Sequence, residues 1–288
     1  MARLQLGRVL AKTIRAPIVH WRDHVAAYAI LVVAPILVIS ILVPALGVSG
    51  APAPPNPADL SGGFFFGAFI LWAAYLICYL AFVVVVHRTV AGVERPWALT
   101  TSLGRYLITC LLVGLIVVAA MIPVGIVFGG TMATTAQGSN PITSLIVGQI
   151  VLPLLTLALI TRFLLAFPAA ALDKPTPIRR SLSITNDRFG PLYWGVVVTS
   201  VLIAVFFAVP GKLLTLLLTG CSMFPLDASE AMACAPDSLA LHLLQMLNII
   251  IGYFPAVIAV SFLTYSFLDL DAETPGKISG SPENHQDQ

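Results

Sequence analysis

Residues 63–86 read GFFFGAFILWAAYLICYLAFVVVV, with no charged side chain and no proline, and His87 and Arg88 follow at once. A helix rises about 1.5 Å per residue, so about 20 apolar residues cross a hydrocarbon layer of roughly 30 Å. Lipid offers no partner for open backbone N–H and C=O groups, and a lone segment satisfies all of its own only as a helix. The stretch is therefore a transmembrane helix. Five more runs of comparable length and character follow the same logic: Val25 to Leu46, Tyr106 to Phe128, Leu145 to Phe167, Tyr193 to Val209 and Leu243 to Leu268. The fifth run is short and is expected to continue past Pro210 and Gly211 toward Leu218. The sequence thus specifies an all-α membrane protein with six transmembrane helices.

Composition agrees. Hydrophobic residues make up 58% of the 288, charged residues only 10%, and the mean hydropathy is +0.96, a balance no soluble fold of this size can bury. A formal charge of +2 creates no global field for nucleic acid, so Lys and Arg act through their placement. The leading segment carries Arg3, Arg8, Lys12, Arg15 and Arg22; the second loop Arg88, Arg95 and Arg105; the fourth Lys174, Arg179, Arg180 and Arg188. The first, third and fifth loops carry none, although the fifth holds Asp227, Glu230 and Asp237. Short loops rich in Lys and Arg stay in the cytoplasm, so both ends of the chain are expected there. The small residues at 48–51 could end a signal peptide, but the apolar run before them is longer than such a peptide carries. The expected organisation is a cytoplasmic amphipathic segment over 1–24, a membrane domain over 25–268 and a disordered acidic cytoplasmic tail over 269–288.

The three basic segments share a design. Leu6, Leu10, Ile14, Ile18 and Trp21 fall on one helical face and Arg8, Lys12, Arg15 and Arg22 on another, which suits a helix lying among headgroups, kinked at Pro17. In the second segment Pro96 opens a helical pattern through Leu99, Leu103 and Tyr106; in the third Pro177 precedes Ile178, Leu182, Thr185 and Phe189. Arg22, Arg105 and Arg188 are equally spaced along the chain, as expected of three repeats of an interfacial helix plus a helical hairpin. Similar loops needing Arg for orientation would also look alike.

From Arg162 the chain reads RFLLAFPAAALDKPTPIRRSLSITNDRFGPLYWGVV. Arg162, the Phe167-Pro168-Ala169-Ala170 turn, an acidic residue at Asp173, Arg179-Arg180-Ser181-Leu182, and Thr185 ahead of Arg188-Phe189 resemble a signature of bacterial six-span membrane proteins. These are the YciC-like proteins and the membrane domain fused to some glycerophosphodiester phosphodiesterases. The resemblance implies architecture and a bacterial inner (plasma) membrane; the phosphodiesterase activity belongs to a separate soluble barrel that this chain cannot form.

Arg162 is the one basic residue well inside a span, and an intramembrane charge needs water or a partner. It is expected to snorkel to the interface or pair with Asp269; the functional alternative is an anionic lipid or ligand site shared with Lys174, Arg179 and Arg180. Gln149 and Asn248 lie inside spans, where amides bond across helices, or line a path. Cys78 and Cys110 read as packing residues, whereas Cys221 and Cys234 share an outer loop and are expected to form a disulfide. His20 and His24, near Asp23, have metal-compatible spacing but read as solvated. The sequence contains no HExxH, Walker-type loop, GxSxG or intramembrane aspartate pair. The expectation is a membrane protein without catalytic residues, metal or cofactor, interacting with anionic lipid headgroups at the cytoplasmic face and acting in the envelope. Its rival is a small-solute or lipid transporter with a cavity between the hairpins.

Overall fold

A computed structural model describes residues 5–43, 62–135, 152–186, 188–211, 213–214 and 238–272. These form α1 (Leu6–Val19), α2 (Trp21–Tyr28), α3 (Ala34–Val43), α4 (Gly62–Val90), α5 (Thr100–Thr135), α6 (Leu152–Leu164), α7 (Ala166–Ala171), α8 (Pro177–Asn186), α9 (Phe189–Ile203) and α10 (Ser238–Ala272), with no strand among the described residues. Among the described residues six stretches are long and apolar enough to cross a membrane: Trp21–Ile39, Phe66–Val90, Thr101–Pro123, Leu154–Ala171, Phe189–Gly211 and Ile251–Ala272. The chain is a multi-pass α-helical membrane protein.

Two of the spans carry a π-helical turn, at Ala29–Val33 and at Ala204–Ala208, and each ends two residues before a proline, Pro35 and Pro210. A proline has no N–H to give and its ring crowds the carbonyl four residues back; widening the preceding turn moves that carbonyl aside. Pro123 and Pro255 sit inside α5 and α10 without such a turn.

Large apolar side chains face outward. Phe66, Phe69, Trp72, Leu111, Leu115, Val118, Val201 and Phe206 are exposed, as lipid-facing residues are, because lipid solvates them as well as protein would. Trp21, Trp97 and Trp194 are exposed near the starts of the odd-numbered spans, the level at which indole rings anchor at a membrane surface. The described core lies toward the end of the bundle that carries Arg and Lys. One part centres on Phe82 to Val86 with Ala27, Tyr106, Val257 and Val260, the other on Val9, Leu165, Ile184, Leu192 and Phe262.

α1 keeps the expected apolar and basic faces and adds a third. Val9, Thr13, Ala16 and Pro17 are buried against the protein, docked on α9 and α10, with Leu6 and Leu10 partly buried beside them, while Ile14, Ile18 (71% exposed) and Trp21 point away. Arg8, Lys12 and Arg15 form a third, exposed face. The helix runs through Pro17 to Val19 and breaks at His20; the Pro17 carbonyl accepts from the Tyr253 hydroxyl at 3.4 Å. α1 is thus a docked helix with one protein, one apolar and one basic face.

The second basic segment also differs from its expected form. Residues 91–99 are turn and coil, and the helix begins only at Thr100, continuous with the span. The short link is used up by a C-cap at Gly92 (φ 73°), where Gly92 N–H donates to Thr89 O and Val93 N–H to Arg88 O. The three units therefore agree in their hairpins but not in their leading helices, which are 14 residues in α1, absent in the second, and 10 residues in α8.

In lipid, hydroxyls need local acceptors. Thr109, Thr161 and Thr264 donate to the carbonyls four residues back, Arg105, Leu157 and Val260. With its proton given to Val260, the Thr264 hydroxyl accepts from His87 Nδ1 at 2.7 Å, so His87 carries its proton on Nδ1 and ties α4 to α10. At the next level Tyr28 donates to Ile249 O at 2.6 Å and packs edge-on against Phe82 and Tyr253.

Candidate functional site: the basic end of the bundle

The signature segment forms the centre of the basic end. α6 closes at Leu164 and the chain turns at Leu165 into α7, a short helix whose Ala166, Pro168, Ala169, Ala170 and Ala171 are all buried. Only side chains this small let α4, α5, α8 and α10 approach a common element. α8 then folds back over the end of α6. Ser181 Oγ donates to the Arg162 carbonyl at 2.7 Å, satisfying a carbonyl in the last turn of α6, while Thr185 Oγ1 gives its proton to Ser181 O at 2.8 Å.

Between α7 and α8 two non-glycine residues adopt left-handed backbone, Asp173 (φ 56°) and Thr176 (φ 47°). Asp173 occupies the place after α7 that Gly92 occupies after α4: its N–H donates to Ala170 O, and Lys174 N–H to Ala169 O. Glycine is the unstrained choice there, and aspartate is among the residues that tolerate the position best. Its side chain explains the exception. Oδ2 accepts from Arg88 Nη1 at 3.0 Å, and Arg105 Nη1 donates to the Asp173 carbonyl at 3.0 Å while lying 4.0 Å from Oδ1. One residue thus joins the end of α4, the start of α5 and the α7–α8 turn. A second ion pair joins α8 to α10: Arg180 Nε donates to Asp271 Oδ1 at 2.7 Å, with Nη2 on the same oxygen.

The residues singled out from sequence separate on this frame. Arg162 sends its guanidinium over the Phe189 ring, 5.4 Å from the centroid. The acidic residue near the end of α10 that takes a loop arginine is Asp271, and its partner is Arg180. Lys174 and Arg179 line a cleft of about 450 Å³ between α5 and the α7–α8 turn, together with Arg105, Ile108, Thr109 and Leu112 of one α5 face. Arg105 is the functional candidate that sequence reasoning passed over; its signal was the spacing 105, 108, 109, 112, one stripe of a helix with a cation at its interfacial end.

Gln149, Cys221 and Cys234 lie outside the described residues, as does the side chain of Asn248 in α10. Cys78 and Cys110 are free and half-buried, Cys110 packing against the core around Phe82. His24 is not solvated: it is fully buried, with its ring 5.7 Å from that of His20. α2, which carries His24, packs against α1, α4 and α10. Among the described residues no three His, Cys, Asp or Glu gather as a metal site. A second open groove of about 450 Å³, between α2 and α10, is lined by apolar residues with Tyr28 and Tyr253. Compared with known proteins, the chain matches no protein-family model, no curated protein and no solved structure.

Proposed function

We propose that this is a non-catalytic, lipid-interacting protein of a bacterial inner membrane, with its basic end and both termini in the cytoplasm, related to the YciC-like six-span proteins. The observation that carries the reading is the charge left over at the basic end. Asp271 is engaged by Arg180 and Asp173 by Arg88 with Arg105 at 4.0 Å, one carboxylate for two cations, while Lys174 and Arg179 around the cleft and Arg8, Lys12 and Arg15 on α1 have exposed or half-exposed side chains level with that end. Each such residue gains about 1 kcal/mol near an anionic leaflet. The kinship rests on the signature segment, whose residues carry the packing and ion pairs of this end. A transporter is the less supported reading, since among the described residues the region between the hairpins at this end is filled by Phe82, Val84, Val85, Leu165 and Val257.

Orientation is tested with reporter fusions. Alkaline phosphatase joined after Asn140 is expected to be active and after Lys174 inactive; the reverse pattern would overturn the cytoplasmic assignment. For the lipid reading, protein extracted with its surrounding lipid is expected to carry phosphatidylglycerol and cardiolipin above their share of the source membrane. Lipid of bulk composition would count against it.

A further inference from the structure

We infer that the cleft between α5 and the α7–α8 turn is a discrete site for one phospholipid whose headgroup carries two negative charges on phosphate, one lipid per chain. The inference rests on the reading that the basic end faces an anionic leaflet, and adds a location, a stoichiometry and a ligand class. Arg105, Lys174 and Arg179 converge on the cleft, whose volume of about 450 Å³ lies in the usual range of ligand pockets. Asp173 is shared by Arg88 at 3.0 Å and Arg105 at 4.0 Å, so with Lys174 and Arg179 four cations face one carboxylate and about three positive charges are left for a ligand. A phosphodiester with one charge balances a third of it, whereas two phosphodiesters, or one phosphomonoester, balance most. Helix geometry adds donors: Pro177 has no N–H to offer, and the first-turn N–H groups of Ile178 and Arg179 have no acceptor within α8, so they suit phosphate oxygens.

The rest of the lining says that the phosphate is borne by a lipid. Ile108 and Leu112 continue the stripe of Arg105 along α5 into the span and are exposed, which gives an acyl chain a track leading away from the cations. A free phosphate would use the cations and leave that track unused. The turn is also stiff. Pro175 and Pro177 flank Thr176, and Arg105 clamps the Asp173 carbonyl, so the backbone that carries Lys174 and Arg179 is fixed before any ligand arrives.

Native mass spectrometry of the delipidated full chain tests this by titration with cardiolipin, phosphatidate, phosphatidylglycerol and phosphatidylethanolamine, with glycerol 3-phosphate as a competitor. One cardiolipin or phosphatidate per chain is expected, held about tenfold or more tightly than phosphatidylglycerol and not displaced by glycerol 3-phosphate. The pair Lys174→Glu and Arg179→Glu, which leaves Arg105 on Asp173, is expected to weaken that binding about tenfold or more, and Arg8→Ala, Lys12→Ala, Arg15→Ala less than about twofold. An unchanged thermal midpoint of the first variant shows that it is folded; if it is not, Leu112→Trp, which fills the chain track without changing the charge, is expected to give the same loss. Equal losses from the cleft and α1 variants, or equal affinity for phosphatidylglycerol, would overturn the discrete site while leaving a general anionic-lipid preference intact. Displacement by glycerol 3-phosphate would overturn the lipid assignment, and no preference over phosphatidylethanolamine would remove both this site and the broader reading.

Discussion

Asp173→Asn is expected to lower the thermal midpoint in detergent by roughly 5 °C, with a loss of about 2 kcal/mol. The figure lies between the small value of an exposed ion pair and the larger cost of stranding a buried charge. Arg88 is the reason: its side chain is only 11% exposed, and an asparagine amide oxygen leaves its guanidinium with uncharged acceptors alone, beside the carbonyl contacts of 3.4 Å to Ala171 and Arg95. The backbone contributes separately. At φ 56° a β-carbon is strained, by about 1 kcal/mol for most residues, less for asparagine and not at all for glycine. The expected order of midpoints is therefore wild type, then Asn and Gly together, then Ala lowest. An Ala variant equal to Gly would remove the backbone argument, and an Asn variant equal to wild type would show that the ion pair contributes nothing. Adding Arg88→Met to Asp173→Asn is expected to recover part of the loss, because no uncompensated charge then remains.

That pairing shows where sequence legibility stops. The six spans were readable because their length and apolarity answer to one physical requirement, closing backbone hydrogen bonds in lipid, and residues 63–86 meet it unaided. The gathering of the basic loops at one end was readable from the placement of Lys and Arg alone. The contacts that build the end were not. Arg88 and Asp173 lie in different loops, and nothing in either segment announces the other; Arg180 had both Asp269 and Asp271 within plausible reach. Arg105 could have been found by following its helical stripe, whereas the cleft opposite it depends on two left-handed residues, Asp173 and Thr176, that no local pattern marks. The docking of α1 was not legible, for a physical reason. The apolar and basic faces could be read from their spacing, but beside lipid there is no gain in hiding Ile14 or Ile18, and close contact with α9 and α10 is won by a third face that includes small residues such as Ala16. The same rule explains why Pro168, Ala169 and Ala170 of the signature turn are buried: they work by being small.

Gly195 applies that rule at its tightest contact. A β-carbon there would lie 2.6 Å from Phe262 Cζ and 2.8 Å from Leu6 Cδ1, so α1, α9 and α10 meet where only hydrogen fits. Phe262 is 1% exposed and has little room to move, whereas Leu6 is partly exposed and can give way. Gly195→Ala is therefore expected to cost about 1 to 2 kcal/mol, and Gly195→Leu the upper end of overpacking, about 3 kcal/mol, relieved by lifting α1 from the bundle. Lifting is measurable apart from stability. A cysteine placed at Val9, which is 2% exposed, is expected to resist a membrane-impermeant maleimide in the native protein and to react once Gly195→Leu is added. Gly195→Ala combined with Phe262→Leu should regain part of the lost stability, since the shorter side chain vacates the space of the ring tip, and the two changes would then be non-additive. If the cysteine at position 9 stays protected in the Gly195→Leu variant and the midpoint does not move, α1 is not held by this contact, and the docked orientation of its small-residue face would have to be abandoned.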